Sequence, residues 1–78
     1  MWYRIVLKDG VQVIYESNDE FPEFLENATT PNSCTGSKWK YYRDTIVKSI
    51  IAFRIDEIKY IMEADEDDII ALKDGRSR

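Results

Sequence analysis

The chain has 78 residues, of which 44% are hydrophobic and 33% are charged, and 15 acidic against 11 basic side chains give a net charge of −4. This length predicts one small domain over residues 1–75, followed by a frayed tail at residues 76–78. A single cysteine and the absence of histidine rule out an intramolecular disulfide framework and leave no zinc site, so we expect a cytoplasmic protein without cofactors.

Residues 2–15 predict a β-hairpin around Lys8-Asp9-Gly10. A two-residue Asp9-Gly10 loop would leave both faces of the hairpin mixed. A three-residue loop with Gly10 in the left-handed conformation pairs Leu7 with Val11, Ile5 with Val13, and Tyr3 with Tyr15. We predict this second register, because it gathers six apolar side chains on one face. The other face would then carry Trp2, Val6 and Ile14, which we expect to leave an apolar patch for self-association or a partner.

Residues 17–28 predict a short helix, with Ser17, Asn18 and Asp19 as candidate N-caps and Pro22 in the first turn. Its apolar stripe consists of Phe21, Phe24, Leu25 and Ala28, spaced as one helix face requires. The polar segment 29–37 that follows predicts a loop, in which Cys34 is either an exposed thiol with a role or an incidental residue.

The most apolar stretch, residues 46–62, predicts the centre of the core. Its apolar residues alternate with polar ones more regularly than they follow a helical period, which predicts two strands near 48–55 and 58–63. The joint at Asp56-Glu57 lacks the glycine or asparagine of a tight hairpin turn, so a bend or a bulge is an open alternative there. Before this stretch, residues 38–43 either begin a third strand or cap the sheet, and Asp44-Thr45 marks a turn.

The C-terminal residues 64–75 predict a short helix, with acidic residues in the first turn and Gly75 just past its end. A strand is the competing interpretation, because residues 70–75 resemble residues 5–10 of the predicted hairpin. Together these elements predict an α+β fold: an antiparallel sheet of about four strands with one packed helix and a short C-terminal helix, in the order ββαββα.

The sequence contains no nucleophile-base pair, no glycine-rich phosphate loop and no metal motif, so we expect no enzyme activity. An acidic run lies at Asp65, Glu66, Asp67 and Asp68. It lacks the glycine and the distal glutamate of a calcium-binding loop. The run is interpreted either as a solvated helix N-terminus or as a phosphate mimic that occupies a partner's nucleic-acid groove.

The candidate binding site is an aromatic and basic cluster formed by Lys38, Trp39, Lys40, Tyr41, Tyr42 and Arg43. Interleaved cations and rings suit single-stranded nucleic acid, whereas tryptophan, tyrosine and arginine also dominate protein interfaces. In a third interpretation Trp39 and Tyr41 pack into the core and the cations face water. The acidic balance of the whole chain weakens the nucleic-acid interpretation, because phosphate neutralisation supplies most sequence-independent affinity.

The leading functional prediction is a small non-enzymatic protein that acts through protein-protein contact, such as an inhibitor or accessory factor encoded by a phage or mobile element. A single-stranded nucleic-acid-binding module is the alternative. No apolar segment approaches the roughly 20 residues of a membrane span, so we expect no membrane partner. A homodimer would supplement the small core.

Overall fold

The computed structural model describes residues 1–67, 69 and 70. It contains, in chain order, β1 (Trp2–Leu7), β2 (Gln12–Glu16), α1 (Phe21–Thr29), β3 (Trp39–Arg43), β4 (Ile50–Arg54) and β5 (Ile58–Ala64). All strand pairs are antiparallel, which makes the fold α+β. The predicted C-terminal helix is not confirmed, since much of it lies outside the described residues, as do its end at Gly75 and the predicted tail at residues 76–78.

The first hairpin has the predicted register. Ile5 lies opposite Val13 and Tyr3 opposite Tyr15, while Gly10 has a φ of 92°. Glycine suits this turn because a residue with a Cβ atom rarely adopts a positive φ. The apolar face of the hairpin therefore points to one side, with Val11, beside the turn, exposed to solvent.

The strands form two sheets rather than the single sheet that we predicted. One sheet has the order β2-β1-β5, and β3 and β4 form a separate two-stranded hairpin. The strands expected near 48–55 and 58–63 are present as β4 and β5, but a 3₁₀ turn over Ile55–Glu57 separates them. This turn redirects the chain, so β5 pairs with β1 and places Ile61 opposite Ile5.

Helix α1 begins later than the sequence pattern predicts. Its N-cap is Glu20, whose side chain makes no capping hydrogen bond. Ser17 instead accepts a hydrogen bond at its hydroxyl oxygen from the Asp19 N–H (3.1 Å), which makes a turn ahead of the helix. Phe24 and Ala28 are buried as predicted, but Leu25 is 38% exposed, so the apolar stripe is narrower than we expected.

The main core lies between the inner face of the β2-β1-β5 sheet, helix α1 and the β3-β4 hairpin. Its buried members are Tyr3, Ile5, Leu7, Val13, Phe24, Ala28 and Phe53. The rings of Tyr3 and Phe24 stack with centroids 4.2 Å apart, and the Tyr3 hydroxyl donates to the backbone carbonyl of Asp19. Burial, and then the nearby carboxylates led by Glu63, raise the pKa of Tyr3.

The apolar patch expected on the other face of this sheet is largely covered, so that prediction is wrong for two of its three residues. Ile14 is fully buried in a second cluster with Ala64 and Ile69, against which Trp2 and Ile46 pack. Val6 is also buried. The cover comes from the turn after β3 and from the chain that follows β5, neither of which the sequence pattern placed over this face.

Candidate binding surface

The β3-β4 hairpin has one face toward the core and one face toward solvent, because successive side chains of a strand point to opposite sides. Four side chains belong to the inner face: Lys40, Tyr42, Ile51 and Phe53. The other six, which we call the outer hairpin face, are Trp39, Tyr41, Arg43, Ile50, Ala52 and Arg54.

The side chains of the inner face determine which face of the hairpin packs against the core. Tyr42 meets the ring of Tyr15 edge-on at 4.8 Å and stacks on Phe53 at 5.8 Å. Phe53 is buried, and burial is the main cause that raises the pKa of Tyr42. With these rings in the core, Trp39 and Tyr41 must point outward, so the interpretation that they pack into the core is wrong.

The outer hairpin face exposes three large apolar side chains, and no described element covers it. Trp39 is 49% exposed, Tyr41 68% and Ile50 64%. Tyr41 lies opposite Ala52, whose methyl group is too small to shield the neighbouring ring. A cleft of about 310 Å³ adjoins Trp39, with Leu7 and Phe53 among its lining residues. Adjacent exposed side chains of this type form a continuous patch, which is characteristic of interaction sites.

Two arginines border the apolar side chains at opposite ends of the hairpin. Arg43 lies opposite Ile50, and its Nη1 atom donates to the carbonyl of Lys48 at 3.3 Å. Arg54 lies opposite Trp39, and its Nε atom is 3.4 Å from a carboxylate oxygen of Asp56. Both arginines are exposed, so each retains donors that can reach a bound partner.

A buried carboxylate fastens this hairpin to the larger sheet. Asp44 is fully buried, and its carboxylate accepts hydrogen bonds from the N–H groups of Ile14 (3.0 Å), Ile46 (2.8 Å) and Val47 (2.9 Å). The Thr45 N–H donates to the Ile14 carbonyl at 2.7 Å. These bonds join the end of β3 to the outer edge of β2 and thereby fix the hairpin's position.

The predicted six-residue cluster is divided by the hairpin. Trp39, Tyr41 and Arg43 share the outer face, and Lys38 is exposed immediately before β3. Lys40 and Tyr42 belong to the inner face. Ile50, Ala52 and Arg54 were missing from the predicted site. The signal for them was the alternation of residues 50–54 opposite residues 39–43, but the pairing of these two strands is a non-local property.

The other candidate residues of the sequence lie outside the outer hairpin face. Asp65, Glu66 and Asp67 are exposed, and the side chain of Asp68 lies outside the described residues. Within residues 1–67, 69 and 70, no group of three or more histidine, cysteine, aspartate or glutamate side chains is placed to hold a metal ion. Cys34 is exposed in a loop, where its N–H donates to the Asn32 side-chain oxygen at 2.9 Å.

Comparison with protein-family models, curated proteins and solved structures finds no significant match to this chain. Over the part of the chain that the structure describes, no helix has the length and apolar character needed to cross a membrane. The feature of this chain that bears on its function is therefore the outer hairpin face itself.

Proposed function

We propose that this chain is a small non-enzymatic binding protein of the cytoplasm, which contacts a partner protein through the outer hairpin face. The observation that carries the proposal is the exposure of Trp39 and Tyr41, at 49% and 68%, beside Arg43. Tryptophan, tyrosine and arginine are the residues that most often dominate the energetics of protein interfaces. An inhibitor or accessory factor can act through such contact alone, because occupying a partner's surface requires no catalytic group.

The composition of the face favours a protein partner over nucleic acid. Ile50 and Ala52 share the surface with the rings, and aliphatic side chains offer bases no stacking platform. Lys40 belongs to the inner face, which removes one of the cations that a phosphate backbone would use. The net charge of −4 also opposes binding to a polyanion.

The charges on the face indicate the chemistry of the partner. Arg43 and Arg54 lie at opposite ends of the apolar patch, so a complementary surface would present carboxylates around an apolar centre. The ion pair between Arg54 and Asp56 is exposed, so it contributes little stability and Arg54 can exchange Asp56 for a partner's carboxylate. We expect the aromatic centre to supply most of the affinity and the arginines to supply orientation.

The test compares three immobilised proteins as baits in host lysate: the wild type, Tyr41→Ala and the matched control Leu25→Ala. Leu25 is also exposed and apolar, but it lies on α1. We expect one protein to be retained by the wild type and by Leu25→Ala, and to be depleted at least about tenfold with Tyr41→Ala, as for an interface hot spot. Retention that is equal on all three baits would contradict the proposal.

Single-stranded nucleic acid remains the second candidate, because exposed rings beside Arg43 are also a stacking surface. Fluorescence anisotropy with a mixed-sequence single-stranded oligonucleotide tests it at low and physiological salt. Binding that requires Tyr41 and weakens steeply and log-linearly with salt would favour nucleic acid. We expect no oligonucleotide binding that Tyr41→Ala removes.

A further inference from the structure

A second cleft, of about 490 Å³, lies between the end of β2 and the turn that joins β3 to β4. Its lining residues are Tyr15, Glu16, Arg43, Asp44, Thr45 and Lys48. It shares no residue with the cleft beside Trp39, which lies at the other end of the hairpin. The charges of the lining indicate which kind of group this second cleft can bind.

Two of the lining residues are cations without a carboxylate partner. Arg43 and Lys48 are exposed, and within residues 1–67, 69 and 70 neither of them forms an ion pair. Arg43 donates to the Lys48 carbonyl at 3.3 Å, which holds the guanidinium beside the residue that carries the second positive charge. A guanidinium has five N–H donors, so most of them stay available to an anion.

The other lining residues are compatible with an added anion. Tyr15 and Thr45 bring hydroxyl groups that make no hydrogen bond within the described part of the chain, and a hydroxyl can donate to an oxyanion. Asp44 is buried, and its carboxylate is bound by three backbone N–H groups. Glu16 is exposed. The exposed charges of the lining are therefore two positive and one negative.

The backbone of Lys48 is an independent indication that its side chain has a role. Its φ is 59°, and among the described residues no other non-glycine residue has a positive φ. This conformation is unfavourable for a residue with a Cβ atom, and glycine adopts it without strain. The Lys48 N–H donates to the Asp44 carbonyl at 2.7 Å, so the turn itself requires the conformation. Lysine here gives up stability and places a cation at the cleft, and such strain is concentrated at functional sites.

We propose that this cleft binds an acidic side chain of a partner protein, whose carboxylate lies between the Arg43 guanidinium and the Lys48 ammonium. A carboxylate can accept two parallel hydrogen bonds from one guanidinium, which adds affinity and fixes orientation. The partner in this inference is that of the proposed function, whereas affinity for a carboxylate is a property of this chain alone.

The position of the cleft links it to the outer hairpin face. Arg43 belongs to both, so a partner that covers Tyr41 also reaches the cleft. At the opposite end of the face, Arg54 has the Asp56 carboxylate 3.4 Å away. The Arg43 end is therefore the favoured place for a partner's carboxylate.

Nuclear magnetic resonance titration of the isotope-labelled full chain tests the proposal at low salt. The probe is a tetraglutamate peptide with both ends blocked, and blocked tetraglutamine is the matched neutral control. We expect tetraglutamate alone to cause saturable shifts of the backbone N–H signals of Thr45, Lys48 and Ser49. The net charge of −4 opposes non-specific binding of an acidic peptide, so saturation at this turn reports the cleft.

Three variants assign the binding to the two cations. Arg43→Gln and Lys48→Gly should each raise the dissociation constant of tetraglutamate at least about threefold. Arg54→Gln removes the same charge at the other end of the face and should change the constant less than about twofold. Lys48→Gly also relieves the positive φ, so its urea midpoint should be no lower than that of the wild type. Weaker binding by an equally stable protein separates a binding role from a structural one.

Three outcomes would overturn the proposal. The first is the absence of a saturable shift at this turn, and the second is an equal loss of affinity with Arg43→Gln and Arg54→Gln. The third is binding of inorganic phosphate at least about tenfold tighter than tetraglutamate, because the cleft would then be a phosphate site. Failure of the proposed function appears in a different measurement, as equal retention on the wild-type and Tyr41→Ala baits.

Discussion

Asp44 provides a direct test of how the β3-β4 hairpin is held, because its buried carboxylate accepts three backbone hydrogen bonds. Replacing it with asparagine keeps the shape of the side chain but exchanges one oxygen for a donor. If the remaining oxygen keeps the Ile46 and Val47 bonds, at 2.8 and 2.9 Å, the amide nitrogen faces the Ile14 N–H. Two donors then oppose each other in a buried site.

The expected magnitude follows from these contacts. A buried N–H without an acceptor costs about 1–3 kcal/mol, and bonds to a neutral oxygen are weaker than bonds to a carboxylate. We expect Asp44→Asn to lower the free energy of unfolding by about 2–4 kcal/mol, and Asp44→Ala, which removes the acceptor for all three N–H groups, by at least as much. In a domain whose stability is on the order of 5 kcal/mol, such losses leave about 1–3 kcal/mol, so both variants should unfold at a much lower urea concentration than the wild type.

Urea unfolding at pH 7, followed by circular dichroism, measures both changes. Asp56→Asn is the matched control, since Asp56 is exposed and makes a surface ion pair; its cost should be below about 0.5 kcal/mol. An Asp44→Asn variant within about 0.5 kcal/mol of the wild type, at an unchanged denaturant slope, would show that the Asp44 carboxylate does not hold the hairpin in place.

Three further predictions test the core, the first turn and the half-buried Tyr42. Phe24→Ala should lower the free energy of unfolding by about 3–5 kcal/mol and Leu25→Ala by under about 1 kcal/mol, because Phe24 is buried and Leu25 is exposed. Urea unfolding measures both changes, and equal losses would contradict the placement of α1. Gly10→Ala should cost about 1 kcal/mol in the same assay, since Gly10 has a φ of 92°, and no loss would contradict the left-handed turn. Burial raises the pKa of Tyr42, so above about pH 10 the unfolded chain loses this proton before the folded chain does. The free energy of unfolding should therefore fall as the pH rises above about 10. Tyr42→Phe should move the midpoint of alkaline unfolding to a higher pH, and an unchanged midpoint would contradict this.

Local patterns predict much of this fold. The register of the first hairpin follows from side-chain alternation and from the one glycine that suits its turn, and the pattern of apolar residues near 48–55 and 58–63 predicts two strands. The partition into two sheets depends instead on which strands meet across the chain. The 3₁₀ turn at Ile55–Glu57 leaves only a weak local signal, the absence of glycine and asparagine at the joint.

The candidate site is predictable in composition but not in orientation. Residues 38–43 stand out as aromatic and basic, yet alternation alone gives two faces without saying which one is buried. That choice is made by Tyr42 and Phe53, which complete a ring cluster with Tyr15 on a different strand. The role of Asp44 is equally non-local, since its partner Ile14 is 30 residues away in sequence.

Site-specific photo-crosslinking in host cells tests whether the outer hairpin face binds a partner protein. A benzophenone amino acid replaces Tyr41 in one sample and Leu25 in the control, because both side chains are exposed. We expect a discrete protein adduct from position 41 that is absent from position 25. No adduct, equal adducts from both positions, or an adduct to nucleic acid alone at position 41 would contradict the claim that the outer hairpin face binds a protein partner.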